Sequence, residues 1–183
     1  NNDDNEVTWF YPVGSGDTES TTYVTYNYSE NLWSVGTLSR GAWEGGTIRQ
    51  YPLATTAIDG GNNYLYEQEV GHDADGEAMT AYIESGDLEI AEGEYLMFMS
   101  RIIPDFTFNG SQSDAEANII IKGSDFPLET ATTLSTSVVT SSSTQSFVRN
   151  RARHSVVRIE SSGLGYGWRL GDLRFDMQPD GRR

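Results

Sequence analysis

No stretch of this sequence repeats its apolar residues with the roughly 3.6-residue period of a helix. Where a pattern is present, its period is two. The clearest case closes the chain. In "GWRLGDLRFDMQPDGRR" (167–183), Leu173, Phe175 and Met177 fall on one side, and Asp172, Arg174 and Asp176 on the other. Side chains of a strand point alternately to its two faces, so this stretch predicts a strand with one buried and one wet face. "QPDGRR" then reads as a turn punctuated by Pro179 and Gly181. A sheet with one apolar face must bury it against another layer, which restricts the chain to stacked or closed β architectures.

Residues 1–8 read as a polar lead, and "WFYP" (9–12) opens a strand before the loop "VGSGDTESTT". "YVTYNY" (23–28), the turn "SEN" and "LWSVGTL" (32–38) have the signature of a hairpin. After a loop at "RGAWEGGT", the order strand, turn, strand returns in "YPLATTAI" (51–58), "DGGNN" and "YLYEQEV" (64–70). Gly36 and Gly71 close the two copies 35 residues apart, near the ~40–45 residues of a β-propeller blade. Two ordinary hairpins in an antiparallel sheet account for the spacing equally well. A closed propeller needs at least ~4 blades, so residues 1–78 are expected to hold propeller-like hairpins that end a longer propeller. From residue 79 the texture changes. "AMTAYIESGDLEI" and "EYLMFMSRIIPDF" (94–106) are strand-rich, and the second is expected to be buried on both faces. "NGSQSDAE" is a loop and "ANIIIKG" a short β-branched strand; in "LSTSVVTSSSTQSFV" the threonines suit strands and the serines predict a long loop. "RARHSVVRIES" (151–161), the glycine turn "SGLGYG" (162–167) and the closing strand complete a last hairpin. The expectation is an all-β protein, with propeller-like blades over 1–78 followed by a small antiparallel β-sandwich over 79–183.

Few residues offer chemistry. The chain has no cysteine, which excludes disulfides, thiolate zinc sites and a cysteine nucleophile. No run approaches the ~18 apolar residues of a membrane helix, and no membrane partner is expected. The chain starts "NNDDNEV" without methionine or signal peptide and reads as the C-terminal piece of something longer. His72 and His154 lack metal-ligand spacing and are read as structural. "HDADGE" (72–77) superficially resembles a calcium loop. Counted from Asp73, however, Gly76 stands at position 4 and Ala78 where the glycine belongs, so it is read as an acidic turn. Glu67 and Glu69 would share a strand face as glycosidase carboxylates do, with Tyr64, Tyr66, Trp33 and Trp43 as sugar platforms. Carboxylates two apart are ordinary in strands, though, and lie only ~7 Å apart. There is no G-x-S-x-G elbow and no Walker-type loop, and "GLGYG" reads as a turn. The reading assigns no catalytic residue, no cofactor and no metal.

Charge is distributed unevenly. The chain carries −15, yet eight of its 12 basic residues lie from Arg149 onward, opposed there by only Glu160, Asp172, Asp176 and Asp180. The tail is thus +4 and the rest −19. An acidic front and a basic back complement one another, which suits contact between copies; solvated loops and a basic sheet face are the plainer alternative. Arg149, Arg151 and Arg153 repeat every second residue, so all three belong on one strand face. Such a stripe suits phosphates or acidic partner loops. The candidate subunit-interface residues are Arg149, Arg151, Arg153, Asp172, Arg174, Asp176, Arg182 and Arg183.

The closing segment "RARHSVVRIESSGLGYGWRLGDLRFDMQPDGRR" resembles the C-terminal ending of tail proteins of tailed bacteriophages. There an Arg-rich strand, a glycine turn, a "GWRLG" strand and a terminal "PDGRR" recur. "YNYSENLWSVGTL" and "DGGNNYLYEQEVG" also look like the last propeller-like blades of those chains. The group it is most similar to is the packaged-DNA stabilisation, or tail-nozzle, type of short-tailed phages. The resemblance implies a non-enzymatic virion protein: a homo-oligomeric ring below the portal, beside other tail and portal-adaptor proteins, that helps retain and conduct genomic DNA in a central channel. The other reading is a carbohydrate-binding or polysaccharide-degrading tail module.

Overall fold

The alternation seen in the sequence persists in space. The computed structural model describes residues 5–45, 48–56, 63–126 and 128–182. Over these the protein is all-β: fifteen strands in five antiparallel sheets, without a helix. Accordingly, no helix among the described residues is long and apolar enough to cross a membrane, which says nothing of a β-barrel. The chain divides into two units between Val70 and Gly71, whereas the sequence texture changes at 78/79. The intervening turn belongs to the second unit because His72 lies against Gly167, where an added Cβ would meet His72 Nδ1 at 2.8 Å.

In the first unit, β1 (Glu6–Tyr11), β2 (Thr22–Asn27) and β3 (Leu32–Thr37) form an antiparallel meander. A second meander follows in β4 (Arg40–Glu44), β5 (Leu53–Thr56) and β6 (Leu65–Glu67). Both expected hairpins are present. Two expectations change. The first strand begins at Glu6, inside the polar lead, because Glu6 and Val7 pair with Asn27 and Tyr26. "RGAWEGGT" is not all loop: Arg40–Glu44 is a strand whose Trp43 packs on Phe10, ring centroids 5.3 Å apart. Each meander has three strands, against about four in a propeller blade. Residues 59–62 of the "DGGNN" turn lie outside the described residues.

The second unit is built from β7 (Ala81–Glu84), β8 (Met97–Ile103), β9 (Phe106–Phe108), β10 (Glu116–Ser124), β11 (Thr132–Thr140), β12 (Ser146–Ala152), β13 (His154–Ser161), β14 (Trp168–Leu170) and β15 (Arg174–Pro179). One sheet has the order β11-β10-β13-β7, a second β12-β8-β15, and β14 pairs with β9. Ala117, Ile119 and Ile121 of β10, with Val157 and Ile159 of β13, join Met99 and Ile102 of β8 and Val148 of β12 in one buried cluster. Two sheets sharing one core make this a β-sandwich-like unit. Two polar groups inside have partners: Asn150 donates to Ser135 Oγ at 2.6 Å, and Trp168 Nε1 to Ser161 Oγ at 2.8 Å.

Five local expectations are corrected. β8 is fully buried only at Met97, Met99 and Ile102, and its other side chains are partly exposed. The serine-rich stretch is mostly strand. Only residues 141–145 separate β11 from β12, closed by Thr140 N–H donating to Ser143 Oγ at 3.0 Å. The last segment is not a hairpin. β13 pairs with β10 and β7, β14 with β9, and β15 with β8, so neighbours in sequence serve different sheets. The terminal "PDG" is not a free turn either, since Asp180 N–H donates to Leu96 O at 2.7 Å and Leu96 N–H to Gly181 O at 2.9 Å. Pro179 is tolerated because β15 is an edge strand. Leu173 and Phe175 pack on the core as expected. Met177 lies opposite Met99 but is 40% exposed, beyond the register shift at Asp176/Met177.

The outer face of the four-stranded sheet is stitched by charge. Lys122 Nζ lies 2.6 Å from Glu84 Oε2, and Arg158 bridges Glu84 at 3.3 Å and Glu160 at 2.7 Å. The Arg158 guanidinium also sits 3.8 Å above the Tyr82 ring. The hydrogen bond from Lys122, then that from Arg158, hold the Glu84 carboxyl below its ordinary pKa against the opposing effect of burial. A depressed carboxylate adds stability above its unfolded-state pKa and loses it as pH falls through the lower folded value. Glu84→Gln should therefore lower the neutral and alkaline part of a stability–pH curve measured by urea unfolding and flatten its fall on the acid side. In the same assay Ile119→Ala should lower stability by about 2–5 kcal/mol, and Met177→Ala by clearly less.

Candidate interaction surface

Alternation along β12 decides which side chains leave the core. Val148, Asn150 and Ala152 are buried, so Phe147, Arg149 and Arg151 face outward. Across the sheet, Phe147 pairs with Arg101 of β8 and Arg101 with Asp176 of β15. Arg151 pairs with Phe98, and Arg174 with Ile103. Cross-strand partners share a face. The exposed side of this sheet thus carries Arg101, Arg149, Arg151 and Arg174 beside Phe147, which is 74% exposed.

The arginine stripe then divides by role. Arg149 and Arg174 form no ion pair among the described residues. Arg101 pairs with Asp176 at 2.6 Å, and Arg151 with Asp180 at 2.6 Å. Arg153 leaves the outer face altogether. It lies at the corner where the chain passes from β12 in one sheet to β13 in the other. Its Nη1 donates to Gly93 O and Glu94 O, both at 3.0 Å, and its Nη2 to Arg182 O at 2.6 Å. Arg182 in turn donates to Tyr95 Oη at 3.0 Å and lies 3.6 Å from Glu94. Asp172 is exposed between β14 and β15. Arg183 lies outside the described residues.

The loop that receives Arg153 is strained. Ala91, Glu92 and Gly93 have φ of 51°, 54° and 75°, and each non-glycine residue there costs on the order of 1–2 kcal/mol. Arg153 caps the carbonyls that end this left-handed run. His154 Nδ1 adds a contact with Glu89 Oε2 at 3.0 Å, short in distance but without hydrogen-bond geometry. The basic tip of the chain therefore folds back onto its own unit.

A second exposed surface lies in the first unit. The register aligns Val7, Tyr26 and Trp33 in one row and Trp9, Val24 and Val35 in the next. Trp33 is 63% and Val35 68% exposed. Trp33 stacks on Tyr26 with centroids 4.5 Å apart, and on Trp9 at 6.1 Å.

The proposed sugar platforms have their rings engaged: Trp43 on Phe10, and Tyr66 beneath the Arg40 guanidinium at 4.2 Å. Glu67 ends β6, while Glu69 has a φ of 63° beyond it, so the two do not share a strand face as expected. In "HDADGE", Asp73 Oδ1 accepts from Gly76 N–H at 2.8 Å, and Ala74 bridges Glu77, forming a closed turn. Among the described residues no group of three His, Asp or Glu side chains could hold a metal ion. Against known proteins, the sequence matches no protein-family model and no curated protein.

Sequence reasoning missed Phe147, Trp9 and Tyr26. Phe147 has the same parity as Arg149 and Arg151, so the stripe itself placed it outward. Arg153→Ala should lower stability by about 1–2 kcal/mol through its lost charged hydrogen bonds, whereas Arg149→Ala should leave the urea midpoint unchanged.

Proposed function

We propose that this protein is a non-enzymatic structural component of a bacteriophage tail, a nozzle or hub ring below the portal that helps retain and conduct the genome. The observation that carries the reading is the outward β12-β8-β15 face, where unpaired Arg149 and Arg174 share a side with an exposed Phe147. A basic face with one apolar anchor suits assembly with an acidic partner, and most of this chain is acidic. The closing segment supports the same reading from a different direction. The stretch that resembles tail-nozzle endings is the one that supplies β14 and β15 and ties the tip to Leu96. The first unit enters this reading as two successive meanders, each one strand short of a four-stranded propeller blade.

A ring built from one chain uses a heterologous contact that closes on itself. The genome would run through its centre, next to other tail and portal-adaptor proteins. The carbohydrate reading draws on Trp33, Trp43, Tyr64 and Tyr66 with Glu67 or Glu69, but Trp43 packs on Phe10, Tyr66 lies beneath the Arg40 guanidinium, and the two carboxylates share no strand face.

Immunogold labelling and image averaging of phage particles should place the protein in a symmetric ring at the tail. Its absence from particles, or polysaccharide cleavage by the purified chain, would overturn the reading.

A further inference from the structure

Each unit, taken by itself, has one exposed sheet face with an apolar centre, and the two faces differ in charge. On the β12-β8-β15 sheet, Phe147 stands among Arg101, Arg149 and Arg174. On the β1-β2-β3 sheet, Trp9, Trp33 and Val35 form an exposed ledge. Residues 5–38, which carry that ledge, include Glu6, Asp17, Glu19 and Glu30 and no lysine or arginine. Exposed aromatic anchors are the usual centre of an interface, with polar and charged groups toward its rim.

We infer that the two faces are the halves of one contact between copies of this chain: Phe147 of one copy seats on the Trp9–Trp33–Val35 ledge of the next, with Arg149 and Arg174 against that copy's carboxylates. The inference rests on the ring reading and names its surfaces. Charge complementarity selects a second copy as the occupant. The basic face has four guanidiniums and two carboxylates, Asp176 and Asp180, and the ledge segment is wholly acidic. Like faces would repel, so the contact is head to tail and repeats around a ring. Arg101 and Arg151 already hold carboxylates of their own unit, which leaves Arg149 and Arg174 as the charges available to the neighbour. Arg153 and Arg182 take no part, because they clamp the 91–94 loop.

The test uses two variants of the full chain, one for each half. Phe147→Asp with Arg149→Glu removes the basic half, and Trp33→Arg with Val35→Lys removes the ledge half. All four positions are exposed, so circular dichroism and urea midpoints should match wild type. Sedimentation velocity should show wild type self-associating, more weakly as salt rises, and each variant weakened at least about 10-fold. Mixed together, the two variants should form a capped heterodimer, since one intact half remains on each. If either variant assembles like wild type, or the mixture stays monomeric, the inference is wrong while a ring seen on particles keeps the nozzle reading intact. Should Trp33→Arg instead abolish polysaccharide binding with sedimentation unchanged, the ledge is a sugar site and the inference falls.

Discussion

Ile119 and Ile159 lie opposite one another at the centre of the four-stranded sheet, both essentially without solvent contact. Their burial against Met99 and Ile102 of the other sheet is the contact on which the second unit depends. Each buried aliphatic side chain is worth roughly 1.5–3 kcal/mol relative to exposure, and together they fix the register of β8, β10 and β13. A one-residue slip would turn every one of them to water. The same constraint determines the outside: once Val148 and Asn150 are inward, Phe147, Arg149 and Arg151 have no other place to point. The exposed basic face is thus a by-product of the core, and its residues are held by a rigid sheet and not by a loop.

Charge does two different jobs in this unit. On the outer side of the four-stranded sheet, Lys122, Glu84, Arg158 and Glu160 neutralise one another. At the β12–β13 corner, Arg153 satisfies carbonyls of a left-handed loop and of the chain's own tail. Exposed ion pairs are individually weak, but the Arg153 bonds converge on one point and join three separated segments. The corner is where the chain changes sheets, and a strained loop beside it needs such a clamp. Among the described residues of the basic tail, Arg149, Arg169 and Arg174 form no ion pair.

Period-two alternation and the lack of helical spacing specified the all-β class, the hairpins of the first unit, and the inward side of Leu173 and Phe175. It also placed Arg149 and Arg151 on a common outer face. Three things were not legible. Sheet membership was hidden, because β13, β14 and β15 follow one another in sequence yet pair with strands far away. The serine-rich segment was misread as a long loop, since β11 pairs along β10 through the backbone, whatever its side chains prefer. Arg153 was misplaced because alternation holds only inside a strand, and the strand stops at Ala152.

The sequence by itself determined the faces. Local alternation decides which residues of a strand look the same way, and that rule needs no partner. The tertiary structure decided the company: which strands lie side by side, which arginines find acceptors, and which apolar groups stay in water. Those outcomes depend on contacts between residues distant in the chain, as between Arg153 and Gly93, Arg151 and Asp180, or Phe175 and Ile102. The physical reason is that a side chain's direction is set by its own backbone, while its burial and its charge partner are set by whatever the rest of the chain brings alongside.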